Sequence, residues 1–363
     1  MAWRARARGL SVVLVDRGAL GAETTAVAAG MLAPVSEADA QERALTRLGL
    51  ESARRWPAFA AELEDVSGID VGYRACGTLV LARDADEAEA LSRELALREQ
   101  LGLAARPLLP SQARTLEPAL APGLRSALEI PSDHAVDPRL VAAALAVAAE
   151  RAGVMLRPNT AVDRLLTEGE QVSGLALAGG EVLPAARVVV AAGPWSDGLD
   201  GVPQAARVPV RPVKGQLLRL LDPGHDPRAP LLERVVRYEG GYIVPRGDGR
   251  YVLGATSEER GFDTSVTALA LHELLRDASE LVPGVLELEV EELCAGLRPG
   301  TPDNAPVLGA SDALPGLFWA TGHHRSGILL APMTAEVLAA ALTGESGGAA
   351  REFSPGRFSE VAA

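Results

Sequence analysis

Residues 10–34 read LSVVLVDRGALGAETTAVAAGMLAP, and their reading decides the fold. Leu10 to Val15 is a short apolar, β-branched run between a Gly stop at Gly9 and the turn Asp16-Arg17-Gly18, which predicts a short buried strand. The preceding MAWRARARG (1–9) reads as the end of a helix, because six apolar residues are too few for a secretory signal. An acidic residue that closes a strand can hydrogen-bond ribose hydroxyls in dinucleotide-binding βαβ units, and such units carry a Gly-rich phosphate loop about 20 residues upstream. No GxGxxG precedes Asp16, so this reading implies an N-terminally truncated unit without its first strand and phosphate loop. On Asp16 alone, a strand-end turn residue is the simpler account. The next stretch shifts the balance: Gly21 to Pro34 interleaves small residues with Thr24 and Thr25, and small residues let a backbone lie against a large planar ligand.

The 363 residues allow about two domains, each able to bury a core. Formal net charge is −13, which argues against a nucleic-acid surface. Apolar residues make up 48% and charged residues 23%, an ordinary globular balance rather than a disordered one. The apolar run Leu140 to Ala149 stops at Glu150, short of the roughly 18 residues of a membrane span, so no membrane partner is expected. Two cysteines, Cys76 and Cys294, cannot build a disulfide framework, and a reducing, cytoplasmic setting is the expectation. The five histidines show no i, i+4 pair, so no metal site is expected, and no G-x-S-x-G elbow suggests a serine hydrolase.

Along the chain, Ala38 to Glu64 has helical spacing interrupted at Pro57, and Gly77 to Arg83 is a short strand. Asp86 to Leu101 is an amphipathic helix, and Ser111 to Leu116 a short one. Asp137 and Pro138 open a helix that stops at Gly153. Strands follow at 154–156, 161–166, 172–178 and 187–192, the last a continuous apolar run suited to a parallel sheet covered on both faces. From Arg207 to Ala255 the texture turns to strands and turns (208–213, 216–221, 234–238, 241–245, 250–255), with Asp248-Gly249 as a hairpin signal. A helix over 266–281, strands over 288–297 and 317–321, and a helix over 328–342 complete the chain, ending in a Gly-containing tail (Gly344, Gly347, Gly348) expected to be mobile. The fold class is therefore α/β: a Rossmann-like domain interleaved with an α+β domain built on a mainly antiparallel sheet. The expected division is 1–70, 134–205 and 293–363 for the first, and 71–133 and 206–292 for the second.

The acid-ended strand followed by G-x-x-TT-x-x-AAGML, together with TGHHRSGILLAP at 321–332 and GLRPGT-D at 296–303, resembles the D-amino-acid oxidase family of FAD-dependent oxidoreductases over nearly the whole chain. Within it, the resemblance points to the glycine-oxidising group of the thiamine pathway. It implies non-covalent FAD held by Asp16, Arg17, Thr24, Thr25, Ala29, Gly30, Met31, Val162, Gly193, His324, Arg325, Ser326, Gly327, Ile328 and Leu329. It also implies a small amino-acid substrate, oxygen as co-substrate, and catalytic roles for Tyr242, Arg298 and Arg325, with self-association left open. Sarcosine or a small D-amino acid as substrate, or a fragment without FAD, stay as alternatives.

The residues carry physics of their own. Gly322 and Gly327 free the backbone where a buried strand hands over to a helix, whose N-terminus offers unpaired N–H groups and positive potential. Arg298, between a strand and a Pro-Gly turn, suits a carboxylate clamp, although by motif alone a surface pairing with Asp303 is the simpler account. Period-two alternation puts Tyr242, Val244 and Arg246 on one strand face, where a Tyr hydroxyl beside an Arg fork would complete a carboxylate cradle. Ser257, read as the end of the strand VLGATS, stands where the resembling group presents Met to the substrate, which implies a more polar pocket. Cys294 lies near the covalent flavin attachment of sarcosine oxidases, but the local pattern is offset and it reads as a buried small residue. In DHAVDPRL (133–140), helix capping accounts for the pattern.

Overall fold

A computed structural model describes residues 1–345 and 352–358. The chain opens with helix α1 (Ala2–Ala7), strand β1 (Val13–Val15), the one-turn α2 (Thr24–Val27), strand β2 (Met31–Leu32) and the long α3 (Arg43–Ser67). It continues through β3 (Thr78–Ala82), α4 (Ala85–Gln100), β4 (Arg106–Leu108), α5 (Pro110–Leu116), β5 (Ser126–Ile130) and β6 (His134–Ala135). Next come α6 (Pro138–Arg151), β7 (Met155–Arg157), β8 (Val162–Glu168), β9 (Gln171–Leu177), β10 (Val182–Pro184) and β11 (Val188–Val190). Strands β12 (Arg211–Leu221), β13 (Val235–Tyr238), β14 (Gly241–Pro245) and β15 (Arg250–Gly254) precede α7 (Ala268–Leu281) and β16 (Glu289–Gly300). The last strands and long helix are β17 (Val307–Ala310), β18 (Leu317–Thr321) and α8 (Gly327–Thr343).

Eight strands form the main sheet in the order β16-β12-β15-β14-β13-β3-β5-β4. Its pairings are antiparallel except β13 with β3. Arg211–Leu221 is one strand where two were expected, because Gly215 stays in the ladder opposite Gly296. Helix α7, capped by the Thr267 side chain, packs Leu274, Ala278 and Leu281 on one face of this sheet with Leu218, Leu220, Ile243 and Leu253. Outside this sheet, β1 pairs parallel with β7 and β11 with β18, while β8, β9 and β10 form an antiparallel meander. The first strand is shorter and less buried than its sequence suggests: it pairs along one edge only, and Val13 is 43% exposed. We propose the two-domain division stated above; β16 runs through the boundary drawn at 292 without a break.

Helices α1, α3, α6 and α8 share a second core around Trp3, Trp56, Leu63, Ala144, Leu330 and Leu338. Pro57 lies inside a single continuous α3. The stretch His324–Thr343 is long and apolar enough to cross a bilayer by length and composition, which the shorter run at 140–149 did not reveal; over half of it is buried in this core. Helix α3 fixes the start of α8 through one carbonyl: Leu329 O accepts from Ser52 Oγ at 2.7 Å and from Trp56 Nε1 at 2.9 Å. That double anchor holds the start of α8, and with it the N–H groups of its first turn, in one position. The tail residues Gly347 and Gly348 lie outside the described residues, and Gly344 ends α8 in the left-handed conformation.

Trp56→Phe removes one of the two donors and leaves a void, and is expected to cost about 2–4 kcal/mol of stability. Thermal and urea denaturation of the variant check this; a midpoint unchanged from the parent would contradict the anchor.

Candidate active site between the sheet and the small-residue loop

The loop of small residues is clamped in place. Gly30 has φ +82°, and an added Cβ would sit 2.0 Å from Val136 O, so only Gly fits. Gly30 O accepts from Val136 N at 2.9 Å, and β2 pairs with β6 through Met31–Ala135 and Leu32–His134. Asp133 is buried and accepts from Val35 N and Ser36 N at 3.1 and 2.6 Å. Burial pushes its carboxyl up to about 6 against those bonds. Helix capping therefore accounts only for Asp137, which accepts from Arg139 N, while Asp133 to Ala135 hold the loop.

From the sheet side, Arg246 closes the joint. Its guanidinium donates to Ala29 O at 2.8 Å and Val136 O at 2.7 Å, and lies 3.7 Å from Asp137. Burial lowers it to about 10. Tyr242, Val244 and Arg246 do share a face, but Arg246 grips backbone and leaves no fork for a ligand.

Tyr242 and Arg298 come together at the other end of β14. Tyr242 lies across Gly254, where a Cβ would stand 2.8 Å from its hydroxyl. Arg298 lies flat on Gly215, where a Cβ would come within 2.5–2.7 Å of its guanidinium. Arg298 Nη1 donates to Thr256 O at 3.1 Å and Lys214 O at 3.4 Å, which leaves its other edge for a ligand. Asp303 is not its partner: Arg357 Nε donates to Asp303 at 2.8 Å. The neighbouring guanidinium partly offsets the upward push that burial gives the Tyr242 phenol. Gly215 and Gly254, the beds of the two side chains, carried no signal in the sequence beyond being strand glycines. Strand β15 ends at Gly254, so Ser257 sits on an exposed loop and Thr256 is the residue turned to Arg298.

The start of α8 forms the third wall. Ser326 makes no side-chain cap, so the first-turn N–H groups of Gly327, Ile328 and Leu329 have no side-chain acceptor there. His324 adopts φ +46°, its Nδ1 is buried without a partner, and Arg325, Arg298 and Arg211 all bear on it electrostatically. His323 Nε2 bonds Thr334 Oγ1 at 2.9 Å. Burial lowers both imidazoles to about 4. The Arg325 side chain turns to Glu42 (2.7 Å) and Glu37 (3.4 Å). Glu37 also acts on the Tyr242 phenol and is a site neighbour that sequence reasoning missed, although it follows AAGML by only five residues.

The remaining candidates follow β1 and β11 or lie in α2 and at the start of β8. Asp16 Oδ1 accepts from Gly18 N at 2.9 Å, and Oδ2 remains for a further donor. Arg17 stacks 3.8 Å over Trp195, which stacks on Phe262. Gly193 has φ +53° and open space at its Cβ position. Thr24 Oγ1 donates to Leu297 O at 2.7 Å and so ties α2 to β16; Thr25 follows it in α2, and Val162 opens β8. Cys294 is half-buried rather than buried and, like Cys76, carries a free thiol. The residues fit a flavin nucleotide: His324 has an orphaned buried nitrogen, the start of α8 is uncapped, the small-residue loop is clamped and Asp16 keeps an oxygen unfilled.

Comparison with known proteins bears on this site. Residues 1–341 match the family model described as FAD dependent oxidoreductase (DAO). The bifunctional protein ThiO/ThiG of Trichormus variabilis is 36% identical over 333 residues; that is 92% of this chain, which spans about half (49%) of that relative. Glycine oxidase of Geobacillus kaustophilus is 36% identical over 331 residues, 90% of this chain and 85% of the relative. The crystal structure of glycine oxidase from that organism superposes with a TM-score of 0.90 at 34% identity, covering 98% of this chain and 94% of that one.

The two imidazoles set an acid limit. With folded values of about 4 against about 6.5 for free histidine, the unfolded chain takes up two protons that the folded chain refuses, and stability falls as pH drops from 6.5 to 4. Replacing His323 and His324 by Asn is expected to flatten that part of the denaturation-against-pH curve. An equally steep curve in the double variant would contradict the assignment.

Proposed function

This chain belongs to the DAO family of FAD-dependent oxidoreductases, and on that premise we propose that it oxidises glycine, or an amino acid of similar size, to the imino acid. The observation that carries the reading is Arg298 laid on Gly215 beside Tyr242, with one guanidinium edge unengaged and close enough to bear electrostatically on His324 just before α8. A guanidinium edge and a phenol hydroxyl match the two oxygens of a carboxylate. Bound FAD supplies the acceptor for the hydride that leaves Cα, and oxygen carries the electrons off as hydrogen peroxide.

The protein contributes orientation and electrostatics. Nη1 of Arg298 is fixed by two carbonyls, so little rotamer freedom is lost on binding. Asp16, Arg17, Gly193, Val162 and the Thr24–Met31 loop would hold the nucleotide. Gly327, Ile328 and Leu329 would face an electron-rich ring edge, where helix N–H groups stabilise negative charge. His324, neutral above about pH 4, offers a hydrogen bond without adding a charge to the site. Arg325 acts through Glu37 and Glu42, which hold it, and its role is to position the α8 start. The oxidases among its relatives support a part in thiamine biosynthesis, through the ThiO/ThiG proteins.

The test is peroxide production by the purified flavin-loaded protein with glycine, sarcosine and D-alanine. Glycine is expected to give the highest kcat/KM; no peroxide from any of the three would overturn the reading. Arg298→Ala is expected to raise KM about 100-fold while the flavin absorbance stays, because a charge-assisted pair contributes about 1.5–3 kcal/mol. Tyr242→Phe should cost about tenfold or more, in line with one hydrogen bond to a charged acceptor.

A further inference from the structure

Strand β15 leaves the main sheet at Gly254, and residues 255–267 run from there to α7 as a strap outside the regular elements. The strap fills the place beside β12 that β15 has given up. Lys214 N donates to Glu258 O, and Glu258 N donates back to Lys214 O, both at 2.9 Å. Gln216, wholly buried, fastens both ends. Its N–H donates to Thr256 Oγ1 at 2.9 Å and its carbonyl accepts from Thr256 N at 3.2 Å, while its side-chain oxygen accepts from Thr267 N at 2.7 Å. The two carbonyls that fix Arg298 Nη1 both belong to this joint: Thr256 O on the strap and Lys214 O on the strand beneath it.

Between its fastened ends the strap is exposed, from residue 259 to residue 265, and two contacts hold it down. One is Lys214, the single lysine of the chain. Its side chain is only 1% exposed beneath a surface segment, and Nζ donates to Asp263 Oδ2 at 2.6 Å and lies 3.5 Å from Ser265 Oγ. The bond from Lys214 and the N–H of Ser265 hold the Asp263 carboxyl down to about 2, so the pair stays ionised. The other contact is Phe262, which stacks on Trp195 at 5.8 Å; Arg17 lies against the same indole. A buried ammonium is tolerated only with its partner charge, and without Asp263 it regains water only if the strap lifts.

We propose that Lys214 is a positioning residue for the oxidation site: clasped to Asp263 it keeps the strap down, and the strap keeps Arg298 on its Gly215 bed. The proposal rests on the carboxylate role given to Arg298 above. Lys214 and Asp263 act through Thr256 O, so neither needs to touch the substrate. Lifting the strap withdraws that acceptor and returns rotamer freedom to the guanidinium, which weakens its grip on a carboxylate before any chemistry begins. Phe262 extends the same control to the nucleotide side, because its seat on Trp195 ties the strap to the turn that follows Gly193.

Two reagents read the clasp in the flavin-loaded full chain, followed by peptide mass spectrometry. An acetyl succinimidyl ester reports the Lys214 amine, which no other lysine can mask, and phenylglyoxal reports Arg298. In Asp263→Asn, a change on the exposed part of the strap, the rates at Lys214 and Arg298 should both rise about tenfold or more, while the rate at exposed Arg250 stays. Phe262→Ala should act in the same direction. Lys214→Met keeps the packing of the stem and drops the charge; it should free Arg298 as Asp263→Asn does, and the two changes combined should add nothing further. With glycine, Asp263→Asn should raise KM about tenfold and keep kcat within about twofold. No peroxide from the parent protein, with the Arg298 rate still raised in the variants, would remove the carboxylate role and leave the clasp standing. Rates at Lys214 and Arg298 unchanged in Asp263→Asn and Phe262→Ala, or a rise at Lys214 without one at Arg298, would overturn the proposal.

Discussion

The buried guanidinium of Arg246 joins the two halves of the site. It sits on the sheet that carries Tyr242, and it donates to carbonyls on both sides of the clamped loop, Ala29 and Val136. A charge taken out of water at this joint is tolerated because two carbonyls and a nearby carboxylate receive it. The register between loop and sheet is set by this grip, and with it the distance between the Arg298 edge and the start of α8. The loop side is made equally rigid by Gly30 against Val136 and by Asp133 under Val35 and Ser36.

Close backbone approach is the second theme. Arg298 and Tyr242 do not point into open space; each lies across a glycine of the neighbouring strand. The glycines replace what would be a packed side chain with a flat bed, so the ligand-facing groups are held by contact rather than by long hydrogen-bond chains. The same device returns at the far end of the hairpin, where Gly247 and Gly249 bring the turn down on Arg74 and His225.

Much of this was legible in the sequence, for physical reasons. The Arg207–Ala255 texture announced an antiparallel sheet because strand spacing and the Asp248-Gly249 turn are local signals. The strand-to-helix handover at Thr321–Ile328 was legible because glycines and apolar runs mark it. What escaped depends on contacts far apart in the chain. Nothing near Asp133 shows that it holds Val35, and nothing near Gly215 shows that Arg298 will rest on it. The strands β4, β6 and β10 are only two or three residues long and made by their partners, so no periodicity gave them away. Ser257 was misplaced for the same reason: the end of β15 is set by pairing with β14 and β12, not by its own residues.

The central claim is that a carboxylate is gripped by Arg298 within reach of the flavin crevice. Glycolate, which keeps the carboxylate of glycine and replaces the amine by a hydroxyl, tests it without turnover. Titrated into the flavin-loaded protein, it should perturb the flavin absorbance with a saturable dependence, and the perturbation should vanish in the Gly215→Ala protein, in which Arg298 loses its bed. A glycolate response of undiminished affinity in that variant would contradict the account.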